Sequence, residues 1–405
     1  MFLKDIYYTS KAGARIFRVS TPRLIWKIGT TFALSSARNM AAYERRVRKG
    51  EDFFPCFIMI SLTEGCNLAC SGCWVSRGGR KSLSHEQLHG IIDESKAHGA
   101  NFFGILGGEP LLYKGLFDVL EKHRDCYFQI FTNGTLITDE VARRMRELGN
   151  ITPVISIEGL EEESDRRRGR DEVYSRSLEG LRNCRRNRLI FGAAASICKG
   201  NYDELVSMKY LEALSREGAM YMWYYIYRPV GAEPNPENCL TREQIRGLRQ
   251  FLVEARRTAP LFVIDTYWDD KGNAICAGAS GMSHHIAPSG AVEFCPVVQL
   301  STKVLSPDAS NLTEIMKEEG MLSRLRDYTA ARTRGCILME DPEGMRNFLD
   351  GEGAKDYTSR GTVRSEYEAM CHVPGHDMKE ERIPEKNFIY KYLKRRYFFG
   401  FGAYG

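Results

Sequence analysis

The sequence predicts an α/β protein built around a partial TIM-like barrel of six strand-helix units. Two observations predict this fold. From Phe53 onward, short β-rich apolar runs alternate with segments of helical periodicity, and polar motifs follow directly after several of the apolar runs. Strands joined by helical crossovers lie parallel and can close into a barrel that carries its chemistry at the carboxyl ends of the strands. A chain of 405 residues has room for such a barrel with smaller appendages.

The apolar runs and the helical segments give the order of the elements. Six strands are predicted, at residues 56–62, 101–106, 127–132, 153–157, 189–197 and 220–227. Helices are predicted near 114–124, 139–148, 172–187 and 202–217, and one more follows the first strand. That helix begins after Ser84, because Gln87 completes a capping box with it, and ends near Gly99.

Four regions are predicted along the chain. Residues 1–50 form an N-terminal extension with an amphipathic stretch, and residues 51–235 form the barrel. The density of prolines at Pro229, Pro234 and Pro236 indicates a linker, after which residues 236–380 form a second region with cysteines of its own. Residues 381–405 form a basic aromatic tail that ends in glycines.

Composition indicates a folded protein of a reducing compartment. The hydrophobic share of 43% and the charged share of 27% are ordinary for a globular protein. No stretch approaches the roughly 20 apolar residues of a membrane span and the N-terminus lacks a secretory pattern, so we expect a cytoplasmic protein. A net charge of +5 is mild for this length and argues against nucleic acid as a partner. Twelve cysteines in that compartment indicate metal or redox sites before disulfides.

Three cysteines follow the first predicted strand within eight residues. Cys66, Cys70 and Cys73 have the spacing Cys-x3-Cys-x2-Cys, which allows one loop to place three thiolates around a single metal centre. Thiolates select zinc or iron-sulfur clusters, but structural zinc takes four protein ligands, and no further Cys or His follows before His85. Three ligands leave one iron of a four-iron cluster open. The alternative, small cysteines that merely pack in a turn, is disfavoured by the spacing.

The segment from Glu64 to Cys73, which reads EGCNLACSGC, resembles the defining loop of the radical S-adenosylmethionine (radical SAM) superfamily. The resemblance implies that the three cysteines bind a 4Fe-4S cluster whose open iron chelates the methionine moiety of S-adenosylmethionine (SAM). It further implies reductive cleavage of SAM to a 5′-deoxyadenosyl radical. One departure is Gly72, where the family often has an aromatic residue against the adenine, and Trp74 is the candidate replacement.

Motifs after the second, third and fourth strands extend the resemblance. It assigns eight residues to cofactor binding: Gly107, Gly108, Glu109, Pro110, Asn133, Ser156, Glu158 and Arg168. The first four form a Gly-Gly-Glu-Pro turn like the family's methionine-binding motif, since glycines let the backbone approach a ligand and a carboxylate can accept from an ammonium group. Asn133 could instead shape a turn, and Arg168 could belong to a solvated charge run rather than pair with the cofactor carboxylate.

A second set of cysteines follows the linker. Cys276, Gly290 and Cys295 have the spacing Cys-x13-Gly-x4-Cys, which predicts a hairpin whose glycine makes the turn and whose two thiolates approach each other. This resembles the opening of the SPASM and twitch extensions and implies one auxiliary 4Fe-4S cluster in a small C-terminal domain. The candidates for the remaining ligands are Cys336 and Cys371, with His372, His376, Cys239 or an open position as alternatives.

Other reactive side chains are expected to pack. Cys56, Cys126 and Cys184 are predicted core cysteines. Cys198 and Lys199 end the fifth strand, and Tyr227 and Arg228 end the sixth. Each of these four could face a substrate, but core or rim packing is the favoured interpretation.

The function expected from the resemblance is hydrogen-atom abstraction from a peptide, a small molecule or a lipid, with the auxiliary cluster passing an electron. An electron donor such as flavodoxin or ferredoxin is then required. The N-terminal stretch and the basic tail could also rest on a membrane surface and give access to a lipid. The alternative from another class is a non-catalytic metalloprotein with a structural or electron-transfer role.

Overall fold

The structure, a computed structural model, describes residues 2–50, 54–76, 78–317, 320–379 and 381–396. Its centre is a nine-stranded sheet. The strands are β1 Phe57–Ser61, β2 Phe102–Leu106, β3 Tyr127–Thr132, β4 Ile151–Ser156, β5 Gly192–Ile197, β6 Tyr221–Ile226, β7 Phe262–Ile264, β8 Ser283–Ile286 and β9 Val292–Glu293. A separate antiparallel pair joins β10, Leu300–Ser301, to β11, Lys355–Asp356.

The order of strands in the large sheet is β7-β6-β5-β4-β3-β2-β1-β8-β9. Every neighbouring pair is parallel except β8 and β9, which form an antiparallel hairpin. The six predicted strands are therefore consecutive in the sheet, and the predicted α/β fold class is confirmed. Two further parallel strands flank them, β7 beside β6 and β8 beside β1. Both of these strands lie beyond residue 235, where the barrel was predicted to end.

Helices connect and cover the strands. In chain order they are α1 Phe2–Val19, α2 Pro22–Lys27, α3 Ser35–Arg48, α4 His85–Ala97, α5 Leu116–Lys122, α6 Asp139–Leu148, α7 Glu161–Arg168, α8 Val173–Arg186, α9 Tyr202–Leu205, α10 Met208–Glu217, α11 Arg242–Ala255, α12 Leu312–Lys317, α13 Met321–Ala330, α14 Ile337–Glu340, α15 Pro342–Gly351, α16 Val363–Ala369 and α17 Phe388–Arg396. A π-helical segment, Ile28–Leu34, joins α2 to α3.

Local sequence accounts for the bounds of the helices. Ser84 and Gln87 form the predicted capping box at the start of α4. Gly149, in the left-handed conformation, ends α6. The single helix predicted over 202–217 is divided into α9 and α10, because the Ser207 side chain caps a new start by accepting from the backbone N–H of Tyr210.

Each strand of the barrel contributes to two apolar clusters. Ile58, Ile60, Phe103 and Ile105 belong to the cluster that also contains the apolar faces of the covering helices. The alternate residues, such as Phe57, belong to a second cluster, which fills the barrel interior. The other strand and loop members of that cluster are Phe102, Tyr127, Val154, Ala194, Trp223, Ile264 and Met282. This alternation follows from the two-residue repeat of a strand that is covered on both faces.

The N-terminal helices close the end of the barrel where the strands begin. Phe32 in the π-helical segment packs against Phe102 and Tyr127, the first residues of β2 and β3, with ring centroids 4.8 and 5.4 Å away. Lys27 Nζ donates to the carbonyl of Arg124 at 2.8 Å, just before β3. The opposite end of the barrel, where the strands end, carries the loops that hold the chemistry in folds of this kind.

Candidate functional site

The cysteine loop begins after β1 and leads into α4. Its base is closed by an antiparallel bridge between Thr63 and Ser82, and the backbone N–H of Glu64 donates to the carbonyl of Lys81 at 2.9 Å. Cys66 at the far side of the loop is exposed, and Cys70 and Cys73 are partly exposed. The three predicted cysteines therefore lie on one loop at the carboxyl end of β1.

The Gly107-Gly108 turn after β2 lies directly against this loop. The backbone N–H of Gly108 donates to the carbonyl of Thr63 at 2.7 Å, and that of Glu109 donates to the carbonyl of Gly65 at 2.9 Å. A Cβ atom at Gly108 would lie 2.2 Å from the Gly65 carbonyl oxygen, and one at Gly107, where φ is +127°, would lie 2.6 Å from that of Thr63. The glycines are thus required by the approach of two backbone segments immediately before Cys66.

Glu109 is fully buried and joins the ends of β2 and β3. Its carboxylate accepts from the Thr132 hydroxyl at 2.7 Å, from the backbone N–H of Asn133 at 2.8 Å and from that of Leu111 at 3.1 Å. Burial raises the pKa of this carboxyl, and the three hydrogen bonds lower it in part, leaving it above its usual value. Pro110 next to it is buried at the start of a short 3-10 turn, Pro110–Leu112.

Asn133 connects the turn after β3 to the cysteine loop. Its side-chain N–H donates to the amide oxygen of Asn67 at 2.7 Å, and Asn67 in turn donates to the Thr135 hydroxyl at 2.9 Å. The oxygen of the Asn133 side chain accepts from both the backbone and the hydroxyl of Thr135. Asn133 therefore shapes the turn and also holds the residue directly after Cys66.

Arg168 and Glu158 form a buried ion pair beside Cys70. The guanidinium donates to one carboxylate oxygen at 3.0 Å, and the backbone N–H of Ser196 donates to the other at 3.0 Å. The second arm of Arg168 faces the Cys70 sulfur at 3.6 Å. Burial lowers the pKa of Arg168, but Glu158, Cys70 and Cys73 together leave it raised. Because Arg168 is buried, it does not belong to a solvated charge run.

The end of α7 also touches the loop through backbone. Gly169, with φ +68°, terminates α7, and a Cβ atom there would lie 2.5 Å from the carbonyl oxygen of Ala69. The backbone N–H of Ser71 donates to the carbonyl of Arg167 at 2.9 Å. Ser156, the last residue of β4, is partly exposed on the same end of the barrel. Helix α7 was not among the predicted helices, since its acidic and basic residues lack an apolar face.

The segment after β6 explains the glycine at position 72. Gly72 has φ +67°, and the ring of Tyr227 lies where its side chain would be, with Cε2 2.6 Å from an ideal Cβ. A Cβ atom at Gly231 would likewise lie 2.2 Å from the Cys73 carbonyl oxygen. Tyr227, rather than Trp74, therefore occupies the space beside position 72.

A small pocket opens between the cysteine loop and β8, and sequence reasoning missed two polar groups in its wall, His285 and Glu293. His285 on β8 contacts the Ser61 hydroxyl through Nε2 at 2.7 Å and the Glu293 carboxylate through Nδ1 at 2.7 Å. The ring of Trp74 stands edge-on to His285 with centroids 5.6 Å apart. These residues come from β1, β8 and β9, so no local pattern could have grouped them.

The second region of the chain also packs on the cysteine loop. The buried Glu64 carboxylate accepts from the backbone N–H of Ser359 at 2.9 Å and from its hydroxyl. The carbonyl of Trp74 accepts from Gln299 at 2.9 Å and from Arg360 at 2.9 Å. Residues from 299 to 360 therefore support the loop that carries the first cysteine set.

The hairpin predicted between Cys276 and Cys295 is present as β8 and β9. Gly290 makes its turn with φ +79°, and its backbone N–H donates to the carbonyl of Ala287 at 2.9 Å. Cys276 lies before β8 and Cys295 directly after β9. Burial raises the pKa of the Cys276 thiol to about 11 and that of Cys295 to about 12, and the charge of nearby Cys336 adds to both shifts.

Cys336 and Cys239 lie close to this hairpin. The guanidinium of Arg228, at the end of β6, donates to the Cys336 sulfur at 3.2 Å. Burial raises the pKa of Cys239 to about 12, and the charges of Cys371 and Cys336 add to that shift. Cys239 therefore lies near both Cys336 and the exposed Cys371.

The two histidines that were candidate ligands of the second set differ in exposure. His376 is buried and contacts the carbonyl of Ile275 through Nε2 at 3.0 Å, whereas His372 is exposed. Cys56, Cys126 and Cys184 are buried, as predicted for core cysteines. Cys198 is also buried and accepts from the Arg167 guanidinium at 2.9 Å.

The donor chemistry of both sets fits an iron-sulfur cluster. Each consists of thiols close together at the carboxyl end of the barrel, with an arginine N–H directed at one sulfur, as at Cys70 and Cys336. Among the described residues, no group of three His, Cys, Asp or Glu side chains is arranged so that it could hold a metal ion. Ligation would therefore also require movement of these side chains.

Comparison with known proteins agrees with this geometry. The sequence model described as "Radical SAM superfamily" matches residues 60–204. The chain is 26% identical over 205 residues to Fe-coproporphyrin III synthase of Methanosarcina barkeri, covering 49% of this chain and 51% of that one. It is 29% identical over 159 residues to the sporulation killing factor maturation protein SkfB of Bacillus subtilis, covering 38% and 39%. The chain thus spans about half or less of the length of these curated relatives.

Among solved structures, the fold is similar to that of SuiB from Streptococcus suis bound to S-adenosylmethionine. The TM-score is 0.60 at 17% identity, with 70% of this chain and 71% of that chain covered. The matched region of the family contains the cysteine loop and the motifs after β2, β3 and β4 that contact it. Residues 60–204 of the chain therefore match the radical SAM superfamily, and the fold around them is similar to that of SuiB.

Proposed function

We propose that this chain binds a 4Fe-4S cluster through Cys66, Cys70 and Cys73 and cleaves S-adenosylmethionine bound at the surrounding strand ends. The observation that carries the proposal is the set of contacts around the cysteine loop. Gly108 approaches it from the turn after β2, Asn133 from the turn after β3, and Gly169 and Arg168 from the end of α7. Three separate motifs of the chain would have no common reason to meet at a loop that merely turns.

Held by Cys66, Cys70 and Cys73, a 4Fe-4S cluster would pass an electron from an external reductant to SAM, and this chemistry would release methionine and a 5′-deoxyadenosyl radical. The residues of the chain prepare the place for this reaction. Arg168 offers an N–H to the Cys70 sulfur, and its pairing with Glu158 holds that arm in position. Glu109 accepts three hydrogen bonds from the chain, and a carboxylate with about four lone pairs retains capacity for an ammonium group.

The remaining assigned residues would hold the rest of the cofactor. Ser156 is partly exposed at the end of β4, where its hydroxyl is available to a ribose. Asn133 acts through Asn67, since it positions the residue next to Cys66. Tyr227, whose ring lies against Gly72, replaces Trp74 as our candidate for the aromatic contact with the adenine.

For the second set we propose one auxiliary 4Fe-4S cluster, of the twitch type. Cys276, Cys295 and Cys336 would be three of its ligands, since the charge of Cys336 raises the pKa of both other thiols. Cys371 remains the proposed fourth ligand, and Cys239, which lies near both Cys336 and Cys371, is its competitor. The domain limits of residues 51–235 and 236–380 remain part of this proposal.

The proposed reaction is hydrogen-atom abstraction from a peptide or a small molecule. The names of the relatives support both classes, since one is a maturation protein and another a synthase of Fe-coproporphyrin III. We further propose a cytoplasmic setting in which flavodoxin or ferredoxin supplies the electron. A lipid substrate stays in the proposal only if it can reach the strand-end face from water.

Anaerobic reconstitution tests this function. The purified chain should bind about eight irons, which is four for each of two clusters, and form 5′-deoxyadenosine from SAM with dithionite. A Cys66→Ala, Cys70→Ala, Cys73→Ala triple variant should retain about four irons and form no 5′-deoxyadenosine. A Cys126→Ala variant, which removes a core thiol outside both sets, should behave as the wild type. Deoxyadenosine from the triple variant, or zinc in the native protein, would contradict the proposal.

A further inference from the structure

Exposed apolar side chains are concentrated on one part of the surface. Among the described residues, seven large hydrophobic side chains are exposed, and six of them lie on α1, α2, the π-helical segment and α17. These six are Tyr7, Phe17, Trp26, Leu34, Phe388 and Tyr392. Trp26 is 72% exposed and Phe17 is 67% exposed, which is unusual for side chains of this size.

These elements form one surface, which we call the basal surface and define as the exposed side chains of α1, α2, the π-helical segment and α17. Helices α1 and α17 adjoin, and the Asn387 side chain donates to the Thr9 hydroxyl at 3.2 Å. Buried contacts from Tyr390 to Val263 and from Lys394 to Trp268 tie α17 to the body of the protein. The exposed residues therefore belong to firmly packed helices.

The same part of the chain carries the excess positive charge. Residues 1–50 contain 11 Lys and Arg and two Asp and Glu, which leaves 46 basic and 50 acidic residues for the rest of the chain. The positive net charge of the whole chain thus comes from the N-terminal helices. The exposed basic side chains of these helices include Lys11, Arg18, Arg23 and Arg38. Apolar side chains interspersed with cations are typical of helices that lie in a membrane interface.

The basal surface lies at the end of the barrel opposite the cysteine loop. The N-terminal helices contact residues that precede strands: Asn39 donates to Asn101 at 2.6 Å before β2, and Arg188 before β5 donates to the carbonyl of Val19 at 3.0 Å. The cysteine loop and the motifs that contact it all follow strands. Strands of five or six residues separate the two ends by roughly 17–20 Å.

We propose that the basal surface docks on a membrane containing anionic phospholipid. Trp26, Phe17 and Leu34 would enter the headgroup region, and the basic residues would attract the anionic lipids. No helix in the described part of the chain has both the length and the apolarity to cross a bilayer. Nucleic acid fits this surface less well, because its apolar members include the aliphatic Leu34 beside the aromatic rings.

Docking in this orientation has a consequence for the site at the other end. The cysteine loop and the pocket at His285 would face water, at least one barrel height from the bilayer. The substrate would therefore arrive from the aqueous side, and the docked surface would not deliver a lipid from the bilayer to the site. This inference does not depend on the proposed reaction.

Vesicle binding of the full chain tests the proposal. The chain should co-sediment with phosphatidylcholine-phosphatidylglycerol vesicles at low salt, fail to bind pure phosphatidylcholine vesicles, and dissociate at about 0.5 M salt, where charges are screened within a few ångströms. Phe17→Ser with Trp26→Ser should weaken binding at least tenfold. Arg18→Gln with Arg23→Gln should weaken it by about 30-fold, from about fivefold for each basic residue near an anionic surface.

A matched control and an orientation readout sharpen the test. Leu112→Ser removes the seventh of the large hydrophobic side chains that are exposed among the described residues, which is 44% exposed at the opposite end, and should leave binding unchanged. Brominated phospholipid should quench the fluorescence of Trp26, and in Trp26→Phe the other three tryptophans should not be quenched. No binding to anionic vesicles, or quenching that survives Trp26→Phe, would overturn the proposal. Dimerisation of the free chain that is lost in Trp26→Ser would also overturn the proposal, because a second copy would then cover this surface. The same holds if a single-stranded RNA binds with higher affinity than the vesicles and displaces them.

Discussion

The two cysteine sets of this chain occupy the same end of the barrel but differ in how they are assembled. The first set spans eight residues of one loop, and neighbouring backbone at Gly108 and Gly169 contacts that loop within hydrogen-bonding or van der Waals distance. The second set draws on a hairpin, the start of α14 and two further segments, from Cys239 to Cys371. The comparison shows that a metal site can be local in sequence or a product of tertiary packing within one protein.

The supports of the two sets differ in kind. Glycines and backbone hydrogen bonds hold the first loop, so its surroundings tolerate almost no added volume. Side-chain rings hold the second: His376 contacts the carbonyl of Ile275 and His284 contacts that of Phe294, the residues immediately before Cys276 and Cys295. Backbone packing is independent of pH, whereas histidine contacts are not. Four predictions, ranked by their effect on the free energy of unfolding, test this difference.

The largest effect is expected from Gly108→Ala. The added Cβ would lie 2.2 Å from the Gly65 carbonyl, and backbone on both sides cannot move aside as a flexible side chain can. We expect a loss of about 4 kcal/mol in the free energy of unfolding, together with loss of the iron bound by the first set. Urea unfolding and iron analysis measure both. Gly351→Ala, at a helical position with nothing within 4 Å, is the control and should be neutral or slightly stabilising.

The next effect is expected from Arg168→Met, which leaves the buried Glu158 with only the more distant Arg167, at 4.0 Å. Removing one partner of a buried pair should lower the free energy of unfolding by about 3 kcal/mol. Arg166→Met, two residues earlier, breaks an exposed pair with Glu163 and should cost less than about 0.5 kcal/mol. A double variant, Arg168→Met with Glu158→Gln, should regain part of the loss. An equal loss from Arg166→Met would show that burial of the ion pair beside the first loop does not determine its contribution to the free energy of unfolding.

Acid should weaken the second set before the first. Burial lowers the pKa of both His284 and His376 to about 4, below the unfolded value near 6.5. As pH falls, the unfolded state takes up these protons first, so stability is complete above about pH 6.5 and is lost towards pH 4. Each histidine should cost about 2 kcal/mol between pH 7.5 and pH 5.

Hydrogen exchange at the two pH values measures this effect, and protection should be lost first around β8 and β9. His284→Gln should reduce the pH dependence of this protection. The glutamine amide can still donate to the Phe294 carbonyl, but it does not titrate. His85→Gln, which changes an exposed ring on α4, should leave the dependence as it is. Acid exchange that begins at the first cysteine loop would reverse the comparison.

The smallest effect on folding is expected from Cys295→Ala. A partly exposed thiol contributes little packing, so the free energy of unfolding should fall by less than about 1 kcal/mol. Iron content should nevertheless fall from about eight to about four atoms, while dithionite-driven formation of 5′-deoxyadenosine continues. Loss of that activity would mean that the two sets are not separable. Cys371→Ser and Cys239→Ser, measured in the same way, decide which of them completes the second set.

Much of the fold could be predicted because the sequence of most strands and helices carries a local pattern that identifies the element. The apolar runs placed β3 at its observed residues and the other five predicted strands within about three residues of theirs. The short strand β7 was missed, since three apolar residues show no strand periodicity, and β8 was expected as one arm of the hairpin but not as a neighbour of β1 in the main sheet. The net charge of +5 is mild for the whole chain, but the excess of basic residues is concentrated in residues 1–50. Part of the predicted tail, including Tyr397, Phe398 and Phe399, lies outside the described residues.

The sequence by itself determined the cysteine loop, the motifs at the strand ends and the α/β fold, because spacing along one loop and periodicity along one element are local properties. Only the tertiary structure decided what surrounds them. It brought Tyr227 against Gly72, Arg228 against Cys336, and Ser61, His285 and Glu293 into one hydrogen-bonded chain. These partners come from strands far apart in the sequence, and their contacts depend on the order and register of the sheet, which no local pattern encodes.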